Sequence, residues 1–124
     1  MTERAHRRDA LCASLPRDPG AAAIARRTLE RQLPGADRQV VDAAKTIASE
    51  LVSNAVLHGR GQITLGVRAA GDRLRIGVRD DGHGAKLEVR PGHGLHIVQA
   101  LSVEWGASDY PTQVWAELAL SHDA

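Results

Sequence analysis

The sequence has no phenylalanine, one tyrosine and two tryptophans, so its core must be filled by alanine, valine, leucine and isoleucine. This scarcity disfavours binding to nucleic-acid bases by aromatic stacking. A single cysteine, Cys12, excludes an internal disulfide. No apolar stretch approaches the length of a signal-peptide core or a membrane span. We therefore expect a reduced, cytoplasmic protein that makes no membrane contact.

The sequence also has almost no net charge, because 16 lysines and arginines are balanced by 15 aspartates and glutamates, which gives +1. Such a balance supplies no general attraction to nucleic acid, so any anion site must be local. The arginines cluster near the N-terminus and on the first predicted helix, and we interpret both clusters as solvated faces. They are Arg4, Arg7, Arg8, Arg26, Arg27 and Arg31.

The length of 124 residues suits one domain that buries its own core. We expect a disordered N-terminal segment over residues 1–10, a single domain over residues 11–120 and a tail over residues 121–124.

Hydrophobic periodicity in the first half predicts a strand and two helices. Alternation over residues 11–15 predicts a short edge strand. A helix is expected from Asp18-Pro19 to about Leu33. A second helix, capped by Asp37 and ended by His58-Gly59, has the most regular apolar spacing in the chain.

The second half predicts a hairpin, a short helix and two further strands. Alternating apolar residues flank the turn Gly71-Asp72. A helix is expected from Leu95 to about Leu101, followed by strands over residues 103–108 and 114–120. This order separates the helices from a mixed, largely antiparallel sheet, so the fold class is a two-layer α/β sandwich.

Three groups of residues could form a site. Glu50, Asn54 and His58 recur at intervals of four, which places them on one helix face. Such a row, taken alone, more often faces water. Asp80 ends a predicted strand before the glycines of Asp80-Asp81-Gly82-His83-Gly84, where its carboxylate could accept a hydrogen bond from an adenine amino group. A plain Asp-Gly turn is the alternative.

The third group is Gly92-His93-Gly94, which directly precedes a predicted helix. Backbone amides at a helix N-terminus favour phosphate. The segment is not a P-loop, because no Gly-Lys-Ser/Thr follows, and the earlier glycine motif does not enter a helix as a Rossmann fingerprint would.

In their order, these three segments resemble the N, G1 and G2 boxes of the GHKL (Bergerat-fold) ATPases. The short chain, the opening segment 15–20 and the closing segment 114–118 are similar to the bacterial anti-sigma-factor serine-kinase group. The resemblance covers roughly residues 11–120.

The resemblance implies that ATP lies between helices and sheet, with Asp80 holding adenine N6 and Asn54 coordinating a Mg²⁺ ion that bridges the phosphates. It makes Glu50 the candidate general base, which takes a proton from a serine hydroxyl or orients water. The residues that it assigns to the nucleotide are Asn54, His58, Asp80, Gly82, Gly84, Lys86, Gly92, His93, Gly94, Leu95 and Gln113.

Two segments depart from the family pattern. The loop over residues 85–91 makes a minimal lid, from which Lys86 or Arg90 is expected to reach the phosphates. Near the C-terminus the family often has a threonine where this chain has Gln113, so either Gln113 replaces that hydroxyl or Thr112 lies one position off. Both departures leave ATP binding intact and put efficient kinase activity in question.

The leading functional hypothesis is a homodimeric regulatory serine/threonine kinase that binds a sigma factor and phosphorylates an antagonist protein. The alternatives are an ATP-dependent binding module with weak or no catalysis, and a detached histidine-kinase-type ATPase domain. Zinc is a minor alternative, because His83, His93 and His96 lack a tight ligand pattern and cysteine support.

Overall fold

The computed structural model describes residues 10–82, 95–109 and 112–120. The elements are β1 (Ala10–Leu15), α1 (Ala21–Gln32), α2 (Arg38–His58), β2 (Ile63–Ala70), β3 (Arg73–Arg79), α3 (Leu95–Leu101), β4 (Glu104–Asp109) and β5 (Thr112–Ala119). None of the helices in these ranges is long and apolar enough to cross a membrane.

The five strands form one sheet in the order β1-β2-β3-β5-β4. Every strand pair in the described ranges is antiparallel. This confirms the two-layer α/β class, and the mixed sheet that was expected is antiparallel throughout those pairs. The final strand begins at Thr112, two residues earlier than its apolar pattern predicts, because Thr112 also pairs with Asp109 of β4.

Side chains alternate between the two faces of the sheet, since successive residues of a strand point to opposite sides. The helices cover one face, which we call the inner face, and its residues on β2 and β3 are buried. The opposite side is called the outer face. The inner-face residues of these two strands are Ile63, Leu65, Val67, Leu74, Ile76 and Val78.

Helix α2 is the central element of the helical layer. Its N-terminus is capped by Asp37, whose side chain accepts a hydrogen bond from the Gln39 backbone N–H at 2.9 Å. Its buried stripe packs against both α1 and the sheet. The stripe comprises Val40, Val41, Ala44, Ile47, Ala48, Leu51, Val52 and Ala55.

Helix α1 lies against α2 and starts at Ala21 rather than at the predicted Asp18-Pro19. Asp18 Oδ1 accepts a hydrogen bond from the Gly20 N–H at 2.7 Å, which forms a turn before the helix. Residues 18–20 therefore form that turn and do not belong to the helix. The helix ends at Gln32, one residue before the predicted Leu33.

Candidate functional site

Asp80 is the most unusual side chain of the described structure, because it is acidic and only 4% exposed. It follows the last residue of β3, and its backbone N–H donates to the Thr112 carbonyl at 3.0 Å. Its Oδ1 accepts a hydrogen bond from the Gly82 N–H at 2.7 Å. The strand end and this turn together fix the carboxylate at the inner face, as the sequence predicts for Asp80.

The other carboxylate oxygen of Asp80 lies against Gly59, the residue that ends α2. A Cβ at Gly59 would overlap Oδ2 and would come within 2.7 Å of Cγ. Gly59 has φ −92°, so the helix end does not use the left-handed conformation that a glycine cap usually supplies. The glycine is required here because the carboxylate occupies the space of a side chain.

Thr112 completes the surroundings of Asp80 from β5. It is 6% exposed, and its Oγ1 donates to the Gly82 carbonyl at 3.0 Å. The Thr112 backbone N–H donates to the same carbonyl at 3.3 Å. Residues 80–82 are therefore held to the start of β5 by backbone and side chain together.

Asp81 anchors the chain on the other side of the same turn. Its N–H donates to the Arg60 carbonyl at 2.8 Å, and its Oδ2 accepts from the Gln62 N–H at 2.9 Å. Gly61 has φ +69°, and a Cβ there would overlap the Asp81 carboxylate. Two glycines, Gly59 and Gly61, thus admit two neighbouring carboxylates.

Arg17 fastens the end of α2 from a third direction. Its Nη1 donates to the Ala55 carbonyl at 2.6 Å and to the Val56 carbonyl at 3.1 Å, and its Nε donates to the Gly61 carbonyl at 3.0 Å. A cation beside the carbonyls in the last turn of a helix is stabilising, and here the Ala55 carbonyl also accepts the Gly59 N–H at 2.9 Å. Arg17 therefore holds in place the segment against which Asp80 packs.

The polar row of α2 runs towards the end of the helix, where Gly59 contacts Asp80. Glu50 and Asn54 are half-buried, and His58 is exposed at the last position of the helix. Each step of four residues rotates by about 40° around the axis, so the row turns towards the apolar stripe as it nears Gly59. Asn54 and Glu50 lie about 7 and 13 Å along the axis from Gly59.

Helix α3 brings Leu95 into the core, where it is 2% exposed, and packs on α2. His96 is exposed on the same helix. The remaining predicted residues of this part of the site lie outside the described residues. They are His83, Gly84, Lys86, Arg90, Gly92, His93 and Gly94. Among the described residues, no group of three His, Cys, Asp or Glu side chains could hold a metal ion.

Gln113 is not brought to the Asp80 cluster. It pairs with Arg79 of β3 and Ser108 of β4, and it lines a groove on the outer face together with Trp115. The alternation of β5 points Thr112 inward and Gln113 outward. Of the two alternatives that the sequence left open, the threonine one position earlier is the residue beside Asp80.

Among the described residues, two groups have clearly shifted pKa values, and both lie between α1 and α2, away from this cluster. Hydrogen bonds from Arg38 and then Lys45 lower the pKa of Glu30 from 4.5 to about 2. The carboxylates of Glu30 and then Asp42 raise the pKa of Arg38 above its ordinary range. These contacts join α1 to α2 at an exposed surface.

Sequence reasoning missed two contributors to the cluster. The sequence predicts Gly59 as a helix cap, and nothing in its spacing shows that it faces Asp80. Arg17 belongs to a segment that matches the family opening, but its three bonds span 38 to 44 residues of chain. Contacts of that range become visible when the fold is known.

Residues 39–121 match the family of histidine kinase-, DNA gyrase B- and HSP90-like ATPases. Among curated proteins, none is similar enough in sequence to be matched with this chain.

Among solved structures, the chain is similar to the RsbU and RsbW domains of Rv1364c from Mycobacterium tuberculosis. The identity is 26% and the TM-score is 0.75, over 93% of this chain and 33% of that chain. The chain thus spans about a third of that protein's crystallised length. The match includes β1 and α1, which precede the segment covered by the family, and it agrees with the resemblance seen in the sequence.

The family match covers the helix with Glu50 and Asn54, the strand that ends at Asp80, and β5 with Thr112. These are the elements that meet around the buried carboxylate. The chain belongs to the histidine kinase-, DNA gyrase B- and HSP90-like (GHKL) ATPase family.

Proposed function

We propose that the protein binds Mg-ATP and transfers the γ-phosphoryl group to a serine or threonine of an antagonist protein, thereby controlling a sigma factor. The observation that carries the nucleotide part is the buried carboxylate of Asp80, held at the inner face by Gly82 and backed by Gly59. The Gly82 N–H donates to one oxygen of this carboxylate, which can accept further hydrogen bonds, and an adenine amino group can donate one.

The adenine end of the site is the part that is most completely built. Asp80 accepts the N6 hydrogen, and the absence of a side chain at Gly59 and Gly82 leaves the room in which the Asp80 carboxylate is held. A Cβ at Gly82 would lie 2.8 Å from Asp80 Oδ1 and 3.2 Å from Thr112 Oγ1, so this position also excludes a side chain. Thr112 keeps the Gly82 carbonyl oriented.

The part of the site that binds the phosphates lies along α2, beside Asn54 and Glu50. Mg²⁺ prefers oxygen ligands. Asn54 offers an amide oxygen and is the residue that holds the ion, and the Glu50 carboxylate lies one helical turn away. Bound Mg²⁺ neutralises charge on the phosphates. Within the family resemblance, His58, Lys86 and the segment 92–95 complete the binding of the nucleotide.

Glu50 is assigned the role of general base. It is half-buried on the row that leads to Asn54, so its carboxylate can accept a proton from an attacking hydroxyl while the amide binds the metal. In this role Glu50 accepts a proton and does not hold the nucleotide. Glu50→Ala is therefore expected to retain ATP and to lose phosphoryl transfer.

The partners are proposed on the similarity to an RsbW domain together with the sequence resemblance. A sigma factor and its antagonist are the protein partners, and the protein acts as a cytoplasmic homodimer. The free edge strand β1 and helix α1 are the proposed contributors to the dimer. Sedimentation at several protein concentrations tests the oligomeric state.

Titration with ATP in the presence and absence of Mg²⁺ tests the nucleotide site, followed by a mass-spectrometric search for phosphorylated partners. We expect saturable ATP binding that Mg²⁺ strengthens. Absence of binding to any adenine nucleotide would overturn the proposal. Binding without phosphate transfer to a candidate antagonist would instead identify an ATP-dependent binding module, and equal transfer by Glu50→Ala would remove Glu50 from its role.

A further inference from the structure

The outer face of the sheet carries a groove that the nucleotide site does not use. Its volume is about 420 Å³, and its floor is formed by Gly66 of β2 and Gly77 of β3, which pair directly across the two strands. Its walls include Arg68, Arg75 and Arg79. We call this feature the glycine trough.

Among the described residues, neither backbone conformation nor a close contact requires the two floor glycines. Neither has a positive φ. A Cβ at Gly66 would come no closer than 3.9 Å to any atom, and one at Gly77 no closer than 3.6 Å, which are ordinary contacts. Glycine weakens a strand interior and often marks a place where another backbone approaches closely. Its use at two adjacent positions therefore indicates an occupant.

Gly106, on the neighbouring strand pair, differs from the two floor glycines. It faces Trp115 across β4 and β5, and a Cβ there would lie 2.7 Å from the Trp115 ring. Packing within the chain explains that glycine, whereas no described residue packs as closely over Gly66 or Gly77.

The walls of the trough are positively charged. Arg68 and Arg75 are directly opposite each other on adjacent strands, an arrangement of like charges that destabilises a sheet. Arg75 is compensated in part, because its guanidinium stacks 4.0 Å from the centre of the Trp115 ring and its Nε lies 3.6 Å from Glu117. Among the described residues, Arg68 and Arg79 have no ion-pair partner.

Arg75 and Arg79 lie on the two sides of Gly77 along β3, so their Cα atoms are about 13 Å apart. That width admits one extended chain. Successive side chains of an extended chain point to opposite sides, so neighbouring acidic residues would reach the two walls. Backbone contact with the glycine floor and charge pairing with the arginines then act together.

We propose that the glycine trough binds an extended acidic segment of a partner protein. A second copy of the same face is disfavoured, because it would bring Arg68 and Arg79 against further arginines. The parts of this chain outside the described structure are also poor candidates, since residues 1–9 and 83–94 each carry more basic than acidic side chains, and residues 110–111 and 121–124 carry a single acidic side chain, that of Asp123. The trough is on the face opposite Asp80, so this inference does not depend on ATP binding.

The test uses the full chain without nucleotide and a short fluorescein-labelled peptide in which pairs of glutamates alternate with serine. The matched control peptide has glutamine in place of each glutamate. Fluorescence anisotropy measures affinity, and the amide chemical shifts of Gly66 and Gly77 locate the contact. We expect the glutamate peptide to bind, its affinity to fall with added salt, and the glutamine peptide to fail.

Two variants probe the floor and the wall separately. Gly66→Val fills the trough with a residue that strands favour, so the folded state is retained while peptide affinity falls at least about tenfold. Arg68→Glu reverses one wall charge and is expected to lower affinity by about as much. The control is Arg27→Glu on the exposed side of α1, which should change affinity by less than about twofold.

Four results would overturn the proposal. The glutamate peptide could fail to bind or bind the two trough variants as well as the wild type. A single-stranded oligonucleotide of equal charge could bind as tightly as the peptide, which would reassign the face to nucleic acid. Gly66→Val could convert a dimer to a monomer in sedimentation, which would give the face to a second copy of the chain.

Discussion

The carboxylate of Asp80 occupies the space in which a side chain of residue 59 would stand, so Gly59 and Asp80 form a matched pair between the end of α2 and the end of β3. The pair connects the helical layer to the sheet by close packing of the Asp80 carboxylate on the Gly59 backbone. Substitutions of Gly59 and Asp80 therefore test the proposed adenine position.

Gly59→Ala is expected to weaken ATP binding at least about tenfold, because the new methyl group displaces the Asp80 carboxylate. Isothermal titration with ATP measures the change. Gly77→Ala is the matched control, since its Cβ meets nothing closer than 3.6 Å and lies on the outer face. Unchanged ATP affinity in Gly59→Ala would show that the position of the Asp80 carboxylate does not matter for the nucleotide.

Asp80→Asn is expected to preserve the fold and lose adenine recognition. The amide oxygen can still accept from the Gly82 N–H, whereas the amide NH₂ presents hydrogens where the adenine amino group also donates. The ratio of ATP affinity to tripolyphosphate affinity measures the loss, because the second ligand lacks a base. Asp81→Asn serves as control, and an equal fall in that variant would assign the effect to the turn as a whole.

Arg17→Met is expected to lower the free energy of unfolding by about 1–3 kcal/mol, since three carbonyls lose a charged donor. Chemical denaturation measures it. Arg27→Met, an exposed arginine of α1, controls for loss of charge and should stay within about 0.5 kcal/mol of the wild type. A change at Arg17 no larger than the control would mean that water satisfies those carbonyls equally well.

Glu30→Gln links stability to pH. The pKa of Glu30 is lowered from 4.5 to about 2 in the folded chain, so its ion pairs stabilise the fold above pH 4.5 and are lost as the pH falls towards 2. The variant should therefore melt below the wild type at neutral pH, with the difference vanishing at the acidic end. The effect is small because the pair is exposed, and high salt should reduce it. A difference independent of pH would contradict the ion-pair origin.

Most of the fold follows from periodicity. The regular apolar spacing of α2 and the alternation of β2 and β3 give bounds close to those observed, because each depends on residues near one another in the chain. The start of α1 does not, since the hydrogen bond from Gly20 to Asp18 competes with the first helical turn.

The candidate site was predictable in its parts and not in its assembly. The pattern predicts Asp80 at a strand end and Glu50, Asn54 and His58 on one helix face. The structure has Asp80 directly after β3 and the other three residues on α2, whose C-terminal end contacts Asp80. Thr112 and Arg17 join them through contacts across 30 or more residues, which local patterns do not encode. The inward direction of Thr112 depends on the register between β3 and β5, and that register belongs to the sheet as a whole.

The 21 residues of α2 also give the site an electrical polarity. The carboxyl-terminal end of a helix carries partial negative charge, and here the Asp80 carboxylate lies directly against that end. On the proposed function, a triphosphate would be repelled from such a place, whereas a neutral base that offers a hydrogen would be accepted. The orientation of the bound nucleotide would then follow the direction in which the helix runs.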